Sequence, residues 1–61
     1  MRLLEAMYHL YDGRRIRCKE WADFEYLEYQ RLNNSIVTES GEEAVAMVFL
    51  ANIDNEWEII K

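Results

Sequence analysis

The sequence predicts an α+β fold in which one N-terminal helix packs on a four- to five-stranded antiparallel sheet. Two observations support this class. Apolar residues near the N-terminus recur with helical spacing, and later segments alternate apolar and polar side chains as half-buried strands do. The chain has 61 residues and no repeats or low-complexity stretches. We therefore expect a single compact domain that spans residues 1–61.

The first segment is predicted to be an amphipathic helix over residues 2–11. Its polar residues recur at helical intervals and so form one stripe, while apolar residues fill the other positions. The stripe consists of Arg2, Glu5, His9 and Asp12. Gly13 follows where a glycine commonly terminates a helix.

Strands are predicted after this helix. Residues 14–21 alternate apolar and basic side chains, which is typical of a half-buried strand. The aromatic-rich segment 24–30 is predicted to pair with residues 35–39 through an Asn-Asn turn at 33–34. A short strand over residues 57–60 is expected to complete the sheet.

Residues 44–51 are apolar throughout, so periodicity alone does not distinguish a strand from a helix. Ser40 and Glu43 have the spacing of a capping box, which would begin a helix. Val48 and Phe49 favour a strand instead. We expect a strand in this segment.

The small size of the chain predicts self-association. A domain of this length buries a limited fraction of its surface and usually needs a disulfide, a metal or a partner subunit. Cys18 is the only cysteine, so no disulfide forms within the chain. One cysteine and the single histidine, His9, cannot complete a structural zinc site. We therefore expect a homo-oligomer without metal or cofactor.

No segment has the pattern of a membrane or targeting element. The longest apolar run, residues 44–51, is far shorter than the roughly 20 residues that a spanning helix needs. The N-terminus lacks the apolar stretch of a signal peptide. An unpaired cysteine is compatible with a reducing compartment. We expect a soluble protein of the cytoplasm.

The net charge of −5 is unevenly distributed. Residues 1–19 contain five cations and two acids, a balance of +3, whereas residues 20–61 contain two cations and ten acids, a balance of −8. The acidic majority argues against general nucleic-acid binding, which requires many contacts between cations and phosphates. A local anion site on the basic segment is compatible with this distribution.

The residues that could support catalysis are few. His9 belongs to the polar stripe of the helix, where a solvated role is expected. Cys18 is predicted to lie on the apolar face of a strand, where a free cysteine behaves as a small hydrophobic residue. The chain has no glycine-rich phosphate-binding motif. We therefore do not expect an enzyme.

The basic strand provides the main candidate binding site. Its cations and a tryptophan alternate in sequence, so they are predicted to share one face: Arg15, Arg17, Lys19 and Trp21. Guanidinium groups bind phosphate, and an indole stacks on a base. Either Tyr26 or Phe24 is expected to add a second aromatic wall. The alternative is that the cations pair with nearby acids and that Trp21 forms a corner of the core.

Two short motifs resemble a known family. The opening segment Leu4-Glu5-Ala6-Met7 leads into Leu10-Tyr11-Asp12-Gly13-Arg14-Arg15-Ile16-Arg17 and Lys19-Glu20-Trp21, and the chain closes on Asp54-Asn55-Glu56-Trp57-Glu58-Ile59-Ile60. This order is similar to that of the small phage proteins of the second Thoeris anti-defence class. In those proteins a helix, a glycine, a basic strand and a tryptophan precede a closing acidic and tryptophan-containing strand.

The resemblance implies a phage counter-defence protein that forms homo-oligomers and sequesters a cyclic nucleotide or cyclic ADP-ribose-type immune signal. Arg15, Arg17 and Trp21 match the motif and would contact this ligand, and Tyr26 is added from the strand-face argument. Relatives have also been linked to direct inhibition of host proteins. The second hypothesis is therefore an acidic inhibitor that docks on a host defence protein, which the charge of residues 20–61 would steer electrostatically.

Overall fold

The structure is a computed structural model that describes residues 1–60. Its four strands form one antiparallel sheet in the order β3-β2-β1-β4, and the N-terminal helix packs on that sheet. The predicted α+β class is therefore confirmed, with four strands. The elements are α1 (Leu3–Tyr11), β1 (Arg15–Cys18), β2 (Leu27–Gln30), β3 (Ser35–Thr38), α2 (Ala46–Leu50) and β4 (Trp57–Ile60).

Strand β1 lies inside the sheet between β2 and β4. It pairs with β2 at Ile16 and Leu27, and it pairs with β4 along its whole length, with Cys18 opposite Trp57. Strands β2 and β3 form a hairpin, in which Gln30 lies opposite Ser35. The last strand of the chain therefore lies beside the first.

Helix α1 has the amphipathic pattern that the sequence predicts. Ala6 and Leu10 are fully buried against the sheet, whereas Leu4 and Tyr8 point outward. The helix ends before Gly13, whose φ of 98° lies in the left-handed region that favours glycine. The Gly13 N–H donates to the carbonyl oxygen of Leu10, so the last turn is closed.

The core lies between α1 and one face of the sheet. Trp57 is its largest fully buried side chain, and its indole Nε1–H donates to the carbonyl oxygen of Asn52 at 3.1 Å. Trp21 packs edge-to-face on Trp57 with ring centroids 5.3 Å apart. The buried cluster consists of Ala6, Leu10, Ile16, Cys18, Leu27 and Trp57.

The predicted strand over residues 44–51 is wrong, because this segment contains the short helix α2. Residues 42–44 already lie along the outer edge of β3: the Thr38 N–H donates to the Glu42 carbonyl and the Ala44 N–H donates to the Ile36 carbonyl. A strand over the following residues would have no sheet edge beside it here. A helix satisfies its backbone groups locally, and it places Val48 against the core.

Two of the predicted strands are also shorter than expected. β1 ends at Cys18 instead of continuing to residue 21, and β2 begins at Leu27 instead of residue 24. The intervening loop is held by its own hydrogen bonds: the Ala22 N–H donates to the Glu25 carboxylate at 3.0 Å. The turn at Trp21, whose N–H donates to the Cys18 carbonyl at 3.0 Å, ends the pairing with β4.

Candidate functional site

The two predicted arginines lie on the outer face of the sheet, which is the face opposite α1. They alternate along β1 with the buried residues Ile16 and Cys18, so their side chains point away from the core. Arg15 Nε donates to Glu28 Oε1 at 3.0 Å on one neighbouring strand. Arg17 Nε donates to Glu58 Oε2 at 2.8 Å on the other. Both guanidinium groups are thus ion-paired across the sheet.

Further contacts hold these arginines in place. Arg17 Nη1 donates to the Asp23 carbonyl oxygen at 2.6 Å, and its Nη2 lies 3.8 Å from the Asp23 carboxylate. The hydrogen bond to Glu28 raises the pKa of Arg15, and the nearby Tyr26 contributes to this shift. The arginines therefore already have acidic partners at the places where a phosphate would have to bind.

The prediction that four residues share one face of a strand, namely Arg15, Arg17, Lys19 and Trp21, is wrong. It required β1 to continue to residue 21, but Lys19 and Trp21 follow the end of the strand. Trp21 is half-buried at the end of the core, where its ring contacts Trp57. The structure therefore places Arg15 and Arg17 on one side of the sheet and Trp21 against the core.

Tyr26 connects these two regions. The Arg15 guanidinium carbon lies 4.5 Å from the centroid of the Tyr26 ring, a cation–π contact. Tyr26 and Trp21 also line one cavity of about 380 Å³ between the loop that precedes β2 and helix α2. Two of the four predicted site residues therefore meet at this cavity, and a third lies over the ring of one of them.

We name this space the aromatic–acidic cavity. Its remaining lining is apolar and polar side chains together with two carboxylates, Glu25 and Glu39. None of the residues within 1–60 that line it is a lysine, arginine or histidine. The full lining is Trp21, Glu25, Tyr26, Leu27, Thr38, Glu39, Met47, Val48, Ala51 and Asn52.

Each carboxylate of the aromatic–acidic cavity is oriented by a backbone N–H. Glu25 Oε1 accepts from the Ala22 N–H at 3.0 Å, and Glu39 Oε1 accepts from the Tyr26 N–H at 3.4 Å. These bonds leave the second oxygen of each group without a hydrogen bond to another part of residues 1–60. Sequence reasoning missed both acids, because it took the basic strand and its neighbouring aromatic residues as the candidate site. Met47 was missed because the segment was predicted to be a strand.

Cys18 and His9, the two residues considered as possible catalytic groups, lie in surroundings that do not activate them. Burial raises the pKa of the Cys18 thiol to about 11, so the reactive thiolate is disfavoured. His9 is half-buried, and its Nδ1 lies 2.9 Å from Arg14 Nη1. Within residues 1–60, no group of three or more histidine, cysteine, aspartate and glutamate side chains is placed to bind a metal ion.

The raised pKa of the Cys18 thiol predicts that the protein loses stability at alkaline pH. Its pKa is raised from the ordinary 9.0 to about 11 in the folded protein, so the unfolded chain loses the proton first. The stabilisation is complete below about pH 9, and it falls by up to roughly 2–3 kcal/mol as the pH approaches 11. Urea unfolding of the wild type and Cys18→Ala across this range measures the effect. If the wild type and Cys18→Ala lose the same free energy of unfolding as the pH rises, the thiol does not cause the loss.

The surface charges outside the ion pairs are mainly acidic. Arg14, Arg15 and Arg17 pair with acids of the chain, which leaves three other cations of residues 1–60 outside salt bridges: Arg2, Lys19 and Arg31. Seven carboxylates are in no salt bridge within the same residues. They are Glu5, Glu20, Glu25, Glu39, Glu42, Glu43 and Asp54.

Helix α1 carries an apolar face directed away from the core. Leu4 and Tyr8 are each 76% exposed and lie one turn apart, and Tyr11 extends the same stripe. With Met7 they line a groove of about 350 Å³. A second groove of about 540 Å³ continues from Leu4 and Met7 toward Phe49 and Ile53. Within residues 1–60, neither helix has the length and hydrophobicity that a membrane crossing requires.

Comparison with known proteins gives no match to a family model, to a curated protein or to a solved structure. The resemblance to the second Thoeris anti-defence class therefore stays a prediction from its short motifs. The fold, the cavity and the charges of the described residues are the basis for a functional proposal.

Proposed function

We propose that this protein acts by binding a basic partner protein through its acidic surface, without catalysing a reaction. The observation that carries the proposal is the distribution of ion pairs. Arg14, Arg15 and Arg17 are paired with acids of the chain, whereas seven carboxylates and only three other cations have no salt bridge within residues 1–60. The charge presented to a partner is therefore negative, and it would steer a positively charged protein toward this surface.

The surroundings of the candidate nucleophile and base support a binding role. Cys18 is buried with a raised thiol pKa, and His9 contacts a cation instead of an acid that would orient it as a base. Under the family resemblance, the target would be a defence protein in the cytoplasm of the host cell. The proposal then corresponds to an inhibitor that covers a functional surface of its target.

A pull-down with tagged protein tests this function. We expect one partner with a basic surface that is retained at low salt and released at high salt, because exposed charges are screened. The partner is then purified, and its association rate is measured with the wild type and with a Glu42→Gln, Glu43→Gln variant. A partner that binds equally at both salt concentrations and to both proteins would contradict the proposal.

Capture of a nucleotide-type signal is the second candidate. It is favoured by one observation, the meeting of Trp21 and Tyr26 at a cavity beside the Arg15 guanidinium. A thermal-shift screen against cyclic nucleotides and cyclic ADP-ribose isomers tests it, since a ligand at 100 times its Kd stabilises the fold by about 2.7 kcal/mol. Arg15→Ala and Arg17→Ala would abolish the shift. No shift with these compounds would leave the protein-binding proposal as the remaining candidate.

Self-association belongs to the same proposal, and the apolar face of α1 is the surface we assign to it. Two copies related by a two-fold axis can pair this helix antiparallel, with the axis between Met7 and Tyr8. Leu4 then lies opposite Tyr11 of the second copy, so the stripe is self-complementary.

The charges beside this stripe suit the same arrangement. In the antiparallel pairing Glu5 is level with residue 10 of the second copy. Arg14 folds back along the helix to contact His9 at 2.9 Å, so its guanidinium lies at that level. Glu5 follows the stripe residue Leu4 on the flank that also contains His9, and a two-fold axis brings equivalent flanks together. Each copy would thus contribute one Glu5–Arg14 pair.

A charge exchange tests this dimer. We expect Glu5→Arg or Arg14→Glu alone to weaken dimerisation by roughly tenfold, because like charges then face each other across the two-fold axis. The double variant should regain most of the affinity, because the pair is restored with its signs reversed. Sedimentation equilibrium measures the dissociation constants. A dimer that is unaffected by either single change would rule out this interface.

A further inference from the structure

The aromatic–acidic cavity is an unusual site for a phosphate, because the charged residues that line it within the described residues 1–60 are acids. Trp21 and Tyr26 provide aromatic walls, and Glu25 and Glu39 provide negative charge. The arginines predicted to bind an anion are paired elsewhere, at Glu28 and Glu58. An anion entering this cavity would face two carboxylates without a counter-charge in its lining.

We infer that the aromatic–acidic cavity binds the cationic side chain of a lysine or arginine from an extended, basic segment of the partner protein. Aromatic faces attract cations through their quadrupoles, and carboxylates add a direct ion pair. The inference rests on the proposed function, since it names the group by which the basic partner would be anchored. The electrostatic complementarity of the lining is what identifies this occupant.

The contacts of Tyr26 support this assignment. One guanidinium, that of Arg15, lies 4.5 Å from the centre of its ring, so this ring already makes one cation–π contact. Arg15 is not among the residues that line the cavity, and it is neutralised by Glu28 at 3.0 Å. Arg15 therefore does not supply a counter-charge within the lining of the cavity.

Each carboxylate has one oxygen left to bond to such an occupant. Their bonds to the N–H groups of Ala22 and Tyr26 use Oε1 of Glu25 and Oε1 of Glu39, respectively. A terminal ammonium or guanidinium can then bond to the remaining oxygens while its methylene stem contacts Met47 and Val48, which line the same cavity. The volume of about 380 Å³ is sufficient for one long side chain and not for a folded element.

The test uses short, end-blocked peptides that contain a single central lysine or arginine in a neutral background. Binding to the full chain is measured by isothermal titration calorimetry. We expect both peptides to bind, and acetylation of the lysine to reduce the affinity by roughly tenfold or more because the charge is removed. Equal binding of the acetylated peptide, or no binding of either cationic peptide, would overturn the inference. Tetramethylammonium and spermidine distinguish a small-molecule site: if either binds as tightly as the peptides, the peptide assignment is wrong.

Matched variants locate the site. We expect Glu39→Gln to weaken peptide binding by roughly tenfold. Asp12→Asn removes an acid that lies outside the cavity and pairs with Arg14, and it should change binding by less than about twofold. Circular dichroism confirms that each variant is folded. Peptide binding that responds equally to both changes would show a general charge effect and overturn the cavity assignment. Salt-sensitive partner binding that is unaffected by Glu39→Gln would likewise overturn the cavity assignment and leave the proposed function standing.

Discussion

Trp57→Ala is expected to remove a large share of the stability of the fold. Trp57 is fully buried and contacts both the helix and the neighbouring strand through the core. Removing a buried tryptophan side chain typically costs about 3–5 kcal/mol. A domain of this length has a total stability of roughly 3–9 kcal/mol. Urea denaturation followed by circular dichroism at 222 nm, a wavelength chosen for helix, measures the loss.

Two matched variants separate the causes of this loss. Trp57→Phe keeps most of the apolar volume but removes the Nε1–H that donates to the Asn52 carbonyl at 3.1 Å. We expect it to cost clearly less than the alanine variant. Trp21→Ala, at a half-buried position, should also cost less. A Trp57→Ala protein that loses under about 1 kcal/mol would show that the core is arranged differently.

Leu10→Ala is the second change with a large expected effect. Leu10 is fully buried between α1 and the sheet, so its truncation leaves a cavity and should cost about 2–5 kcal/mol. Both leucine and alanine favour a helix, so the loss reports packing more than helix propensity. Thermal and urea unfolding should give losses of stability of similar size.

Leu4→Ala is the control for this experiment on the same helix. Leu4 is 76% exposed, and its truncation should change the stability of the monomer by less than about 0.5 kcal/mol. The same variant should weaken the α1–α1 dimer, because Leu4 lies in the proposed interface. Equal losses of stability for Leu10→Ala and Leu4→Ala at low protein concentration would mean that the helix is rotated from its described orientation.

The elements with a clear period could be predicted from the sequence. Helix α1 follows the 3.6-residue pattern, with Ala6 and Leu10 on its buried side, and β4 was placed at its observed residues. Each of these segments buries one face, so its apolar residues recur with the period of a helix or a strand, and that period is visible in the sequence.

The segment that became α2 could not be assigned in the same way. All its residues are apolar, and β-branched and aromatic side chains such as Val48 and Phe49 favour a strand. The outcome depended on tertiary structure: residues 42–44 pair with β3 and occupy the sheet edge before the apolar segment begins. Local preference contains no information about this competition.

The candidate site was predictable only in part. The alternation that directs Arg15 and Arg17 away from the core is visible in the sequence, and so is the possibility that they pair with acids. The identity of those acids is not, because Glu28 and Glu58 come from strands that are 13 and 41 residues away along the chain. The end of β1 at Cys18 also separated Trp21 from the arginines.

The position of β4 beside β1 has a consequence for how the chain folds during synthesis. The pairing of Cys18 with Trp57 joins strands that are far apart in the sequence, so completion of the sheet depends on a long-range contact. A nascent chain that has not yet released Trp57 from the ribosome lacks the largest side chain of its core. The helix and the β2–β3 hairpin would then remain loosely associated, and cooperative folding would begin only after the residues of β4 emerge.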